Sequence, residues 1–101
     1  MTTATIAILA SVNAIGQTEM EKGKVLFTIT AAPACAVCHT LRHAGSVGEI
    51  GPNLNELKPD AQRVEQAIRN GIGLMPAFSD LSESDIQTLA KYVAQASKNT
   101  N

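Results

Sequence analysis

The chain has 101 residues, enough for one domain. Eight basic against nine acidic side chains leave a formal charge of −1, which gives no basic surface for nucleic acid and no attraction to an anionic membrane. Two Phe, one Tyr and no Trp are few for a free-standing core, and the two cysteines sit in one motif, so no pair remains for a structural disulfide.

Taken in chain order, the apolar stretch Ile6 to Ala10 and Val12 to Ile15 precedes the polar Gln17-Thr18-Glu19. It reads as a signal peptide or an N-terminal arm over 1–16, with cleavage after Ala14 or Gly16, ahead of a domain over 17–101. The start carries no Lys or Arg. At about a dozen residues the stretch is short of the ~20 that span a bilayer, and no transmembrane anchor is expected in the mature chain. The next run, Glu19 to Thr28, predicts a helix with Thr18 as its cap and Met20, Gly23, Lys24 and Phe27 on one face. Gly23 inside it costs about 1 kcal/mol against Ala, which points to fraying or to a second helix backbone passing close by.

Cys35-Ala-Val-Cys38-His39 follows, and Leu41 to Leu57 then shows three glycines, a proline and no sustained period, the pattern of a long loop wrapped around something. Pro59 to Asn70 predicts a helix with Pro59 in its first position, Val64, Ala67 and Ile68 on the buried side, and Gly71 ending it in a left-handed conformation. The segment Glu83 to Ala96 predicts the last helix. Ser82 and Asp85 resemble a capping box, Ile86, Leu89, Ala90 and Val93 form its stripe, and Tyr92 lies beside them. The tail from Ser97 is polar. This helix is the expected partner of Gly23.

Two thiols separated by two residues have three chemical readings: a thiol–disulfide pair, half of a zinc site, or covalent haem attachment. Zinc needs two further ligands, and His39 and His43, four apart, would make a cramped set with Cys35 and Cys38. A thioredoxin-like pair lacks its strand–helix alternation. The histidine immediately after Cys38 favours the haem reading: the cysteines lie one helical turn apart, within reach of two vinyl positions, and His39 is placed for the iron. Met75 is the candidate second ligand, because Pro76 pushes it into an extended conformation within a non-helical segment. A thioether favours reduced iron and raises the potential relative to two histidines. His43 is too near His39 to cross to the other face of a porphyrin and reads as a surface or haem-edge residue, and Arg42 as part of a solvated face.

Cys35 to His39, then Gly51-Pro-Asn-Leu54, then Met75-Pro76 before a final helix, resemble in content and order the class I c-type cytochromes, over about residues 19 to 96. The resemblance implies an all-α fold of three to four helices packed around one covalently bound haem c. It implies that Cys35 and Cys38 carry the haem, that His39 and Met75 ligate the iron, and that the Pro52 carbonyl holds the far nitrogen of His39. It places Leu54, Ile68, Leu74 and Phe78 along the haem, and crosses the first and last helices with Gly23 and Phe27 against Leu89 and Tyr92. One departure stands out: most compact members put the first cysteine about four residues after the helix phenylalanine, whereas Thr28 to Ala34 intervene here, an expected bulge at the haem edge.

The expectation is a non-enzymatic electron carrier of a periplasmic or equivalent exported compartment, exchanging electrons with a redox protein donor and acceptor. The stretches Cys35 to Leu41, Gly48 to Asp60 and Gly73 to Phe78 also resemble small cytochromes that accept electrons from molybdenum sulfite dehydrogenases. A molybdenum dehydrogenase as donor, and a terminal oxidase or another cytochrome as acceptor, are the partners this implies. Two rivals stand beside it. One is a haem subunit docked permanently on a dehydrogenase, which an apolar patch over Ile29 to Ala36 would favour. The other is a ligand-binding haem enzyme or sensor, which requires an open sixth position and is opposed by Met75.

Overall fold

The protein is described by a computed structural model covering residues 2–5 and 10–99, with the backbone alone described for 10–17. Residues 6–9 of the expected signal peptide or arm lie outside the described residues; from Ala10 onward the backbone is helical without a break into the domain. The first helix, α1, is Ala10–Val25. It starts well before the expected Glu19, so Thr18 lies within the helix rather than at its start. Among the described residues no helix is long and apolar enough to cross a membrane.

At its end α1 widens into one π-helical turn, Leu26–Thr30, closed by the Ala31 N–H on the Leu26 carbonyl at 3.0 Å. The extra residue per turn rotates Leu26, Phe27 and Ala31 all into the core while Ile29 faces outward. A single turn, α2 (Cys35–Cys38), follows after a bend. The expected long loop is in fact built from four short pieces: strands β1 (Thr40–Leu41) and β2 (Ser46–Val47) paired antiparallel around a 3₁₀ turn, Arg42–Ala44, and then a one-turn helix, α3 (Leu54–Leu57). Pieces this short leave no periodicity to read. Polar side chains fix them instead: the Ser46 hydroxyl donates to the His39 carbonyl at 2.9 Å and accepts the Leu41 N–H at 3.0 Å, and Asn53 Oδ1 caps α3 by accepting from Asn55 N–H at 2.9 Å.

Helix α4 is Ala61–Asn70, with Asp60 rather than Pro59 at its start; the Asp60 carboxylate takes the Arg63 N–H at 2.8 Å, a cap that proline cannot supply. Gly71 ends it at φ 70°, ψ 166°, a positive-φ conformation different from the left-handed helical one expected. The last helix, α5, is Glu83–Ser97, capped by Ser82 Oγ on the Asp85 N–H at 3.1 Å. It packs against α1 on one side and α4 on the other, burying Ile86, Leu89, Tyr92, Val93 and Ala96.

The crossing of α1 and α5 answers the question raised by Gly23. A Cβ there would lie 2.2 Å from Cβ and 2.4 Å from Cγ of Tyr92, so the absence of a side chain is what lets the helices meet. The Phe27 and Tyr92 rings, with centroids 6.1 Å apart, continue the contact. Gly23→Ala gains about 1 kcal/mol of helix propensity but drives a methyl into an atom attached to the α5 backbone. The net expectation is a loss of about 2–3 kcal/mol, read as a lower midpoint in guanidinium unfolding with unchanged slope.

Candidate haem site

One side of the core is open. Phe27, Leu54, Ile68, Phe78, Leu89 and Val93 belong to the core and also line a cavity of about 640 Å³, well within the size of cofactor sites. The turn α2 presents Cys35 and Cys38 to this cavity, and His39, the residue after it, leaves the helix with φ −119° and ψ 138°. That change of direction turns the imidazole onto the same wall. Its Nδ1 lies 2.7 Å from the Pro52 carbonyl. A carbonyl only accepts, so Nδ1 carries the proton and Nε2 keeps its lone pair free.

Gly51 makes this possible. A Cβ at Gly51 would fall 2.5 Å from Cε1 and 2.8 Å from Nδ1 of His39, so the backbone before Pro52 lies flat against the ring, and the Gly51 N–H donates to the Cys38 carbonyl at 2.6 Å. The Gly51-Pro52 segment is thereby tied to both the turn and the ligand candidate.

Met75 comes to the cavity from α4's side. Ile72 and Met75 exchange backbone hydrogen bonds of 3.0 and 2.9 Å, a tight turn that sets Met75 in an antiparallel bridge, the extended backbone required before Pro76. The Phe78 N–H returns to the Ile68 carbonyl at 2.8 Å, fastening the far side of the turn to α4.

Each residue named from the sequence borders this one cavity: Cys35, Cys38, His39, Pro52, Leu54, Ile68, Leu74, Met75 and Phe78. Leu54, Ile68 and Phe78 are buried, whereas Leu74 is 90% exposed and reaches the cavity from its rim. Pro33 and Ala34 from the intervening stretch also stand on the wall, where the bulge was expected. The apolar patch over Ile29 to Ala36 that would favour a docked subunit is interrupted, because Ala31 is buried between the exposed Ile29 and Pro33.

His43 is placed differently from the expectation. It is half-buried, does not border the cavity, and packs edge-on to Tyr92 with its Nδ1 2.8 Å from the phenol oxygen. Burial pushes the Tyr92 phenol up to about 12, so the hydroxyl keeps its proton and shares a hydrogen bond with His43 Nδ1. Two residues escaped the sequence reading. Buried Asn55 accepts the Arg42 N–H at 2.8 Å and donates to the Ser97 and Asn99 carbonyls at 3.4 and 3.5 Å, pinning α3 to the 3₁₀ turn and to the end of α5. Arg63, which no motif in the sequence singles out, is the one Lys, Arg, Asp or Glu on the cavity wall among the described residues. The second asparagine of Asn53-Leu-Asn55 was a usable signal for the first; nothing local marks the second.

The donor set separates the three readings of the cysteine pair. Burial pushes the Cys35 thiol up to about 11, the reverse of the lowered value that makes a redox-active thiol. No group of three or more potential metal-holding His, Cys, Asp or Glu side chains exists among the described residues, and His43 is turned to Tyr92 instead. Two thiols, an imidazole and a thioether around an apolar cavity fit a haem held by two thioether bonds. Gly51→Ala is expected to push the His39 ring off the Pro52 carbonyl and to cut the yield of covalently loaded protein severalfold, measured by mass and by haem absorbance per chain.

Residues 18–93 match the family model described as cytochrome C oxidase, cbb3-type, subunit III. Among curated proteins, the chain is 42% identical over 74 residues to a cytochrome c6 of Cyanidioschyzon merolae; the match covers 63% of this chain and 66% of that protein, just under two thirds of its length. It is 30% identical over 96 residues to a cytochrome c6 of Cyanidium caldarium, covering 86% and 80% of the two chains. Among solved structures, the c-type cytochrome SorU from Sinorhizobium meliloti superposes with a TM-score of 0.78 at 47% identity, covering 80% of this chain and 93% of the other. With its helices arranged as in the class I cytochrome c fold, the chain belongs to this family and is a small c-type cytochrome.

Proposed function

We propose that this protein is a periplasmic electron carrier that holds one haem c through Cys35 and Cys38 and ligates its iron with His39 and Met75. The observation that carries the reading is the convergence of these four side chains on one apolar cavity, with the imidazole already oriented by Pro52. When bound, the haem supplies a one-electron iron couple. The chain's own contribution is to position and exclude: the Pro52 carbonyl fixes the tautomer and strengthens the imidazole as a donor, while Leu54, Ile68 and Phe78 keep water from the wall. Arg63 puts a positive charge on the wall, which would suit the carboxylates that a haem carries. Ligands held by hydrogen-bonded turns, as His39 and Met75 would be, need little rearrangement when the charge changes, which suits transfer rather than catalysis.

The proposed donor is a dehydrogenase, a molybdenum sulfite dehydrogenase being the first to try on the strength of the sequence stretches named above. The acceptor is a terminal oxidase or another cytochrome. A second reading, a haem subunit bound permanently to such a dehydrogenase, is favoured by one observation: Ile50, Ile72 and Leu74 stand 66%, 70% and 90% exposed around the cavity mouth. Elution of the protein from its native extract, alone or with an enzyme, separates the two.

Ligation is tested by the oxidised-minus-reduced spectrum and by Met75→Ala. The parent is expected to show the far-red methionine-to-iron charge-transfer band and no carbon monoxide binding. The variant is expected to keep its covalent haem, lose the band, bind carbon monoxide, and show a lower reduction potential. An unchanged spectrum and potential would remove Met75 from the iron.

A further inference from the structure

The segment that carries Met75 leaves α4 after Asn70 and enters α5 at Glu83, and its two ends are joined by side chains. Arg69 stands on the last turn of α4 and Glu83 opens α5. The Arg69 guanidinium donates from one terminal nitrogen to each carboxylate oxygen of Glu83, at 2.5 and 2.7 Å, the parallel fork that this pair makes best. Two further donors are used as well. Nε and one terminal nitrogen reach Glu65 Oε1 at 3.1 and 2.9 Å, and that oxygen also accepts from Gln87 Nε2 at 2.9 Å. Two residues of α4 and two of α5 thus form one network at the neck of the loop. Both charges also suit their helix ends, the cation at the C-terminus of α4 and the anion in the first turn of α5.

We propose that Arg69 and Glu83 are positioning residues that clasp the neck of the Met75 loop and hold the methionine over the cavity. This rests on the reading of Met75 as an iron ligand. Among the described residues the loop's backbone ties to the helices run back to α4: Gly71 N–H to the Ala67 carbonyl at 2.8 Å and Phe78 N–H to the Ile68 carbonyl at 2.8 Å. The clasp adds a side-chain tie across the loop's two ends, beside the packing of α4 on α5, whose Leu89 and Val93 line the cavity. An isolated exposed ion pair contributes little, and Glu83 is 74% exposed, but a bidentate pair inside a four-residue network closes a loop, and opening it frees the whole segment. Cutting the clasp therefore raises the population of a form in which Met75 has left the iron, and an added ligand reports that population directly.

The test uses the haem-loaded protein and imidazole as the probe, with binding followed by loss of the far-red band and global stability by guanidinium unfolding. Arg69→Gln and Glu83→Gln are each expected to raise the apparent imidazole affinity about fivefold, the scale of one lost networked pair. The reversed pair Arg69→Glu/Glu83→Arg is expected to recover part of the change. Asp60→Ala, which removes the cap at the far end of α4, lowers stability without touching the loop and is expected to leave imidazole affinity within about twofold of the parent. The proposal is overturned if the two Gln variants bind imidazole like the parent, or if Asp60→Ala raises affinity as much at a matched unfolding midpoint, which would make the network a general support of the fold. A parent lacking the band would instead remove Met75 from the iron, and the clasp's proposed role with it.

Discussion

Everything in this fold hangs from the contact between α1 and α5. Because Gly23 has no side chain, the two backbones approach until the start of the Tyr92 side chain lies where a Cβ would be. That approach fixes the line of α5, and α5 in turn supplies Leu89 and Val93 to the cavity and the surface on which α4 rests. The π-helical turn after Val25 belongs to the same constraint. It brings Leu26 and Phe27 around together, so that one helix end serves both the crossing and the cavity wall.

Around that frame the site is assembled by polar pins rather than by long elements. Ser46 ties the hairpin to the His39 carbonyl, Gly51 ties the next segment to Cys38, and Asn55 ties α3 to both the 3₁₀ turn and the end of α5. Each is a buried or half-buried group with its partner in place, and among the described residues no buried side-chain nitrogen or oxygen is left without one.

The helices were legible where their stripes were long. The span of α5 and its Ser82 cap were readable from the residues, and Gly23 announced its partner by being out of place. The Cys35 to His39 spacing, Gly51 to Leu54 and Met75-Pro76 announced the group of residues that the fold gathers at one cavity, with the 2.7 Å approach of His39 to the Pro52 carbonyl following from the resemblance. What escaped depended on tertiary partners. Pro59 and Asp60 both suit a helix start, and the geometry chose the residue with a carboxylate to offer. His43 was assigned to a surface or haem edge because nothing near it in sequence mentions Tyr92, 49 positions away. The hairpin and α3 are held by single side-chain bonds, which carry no periodic signal.

The separation along the chain of the parts that meet also bears on how the molecule comes to be. Synthesis proceeds from the N-terminus, so α1 and the cysteine turn exist while α5, which forms the far wall, is still unmade. Contacts so distant in sequence close late in folding, after much loop entropy has been spent. Through that interval the wall that Leu89 and Val93 of α5 lend to the cavity is missing beside Cys35 and Cys38. The closing of α5 onto α1 at Gly23 is thus the step that completes the cavity.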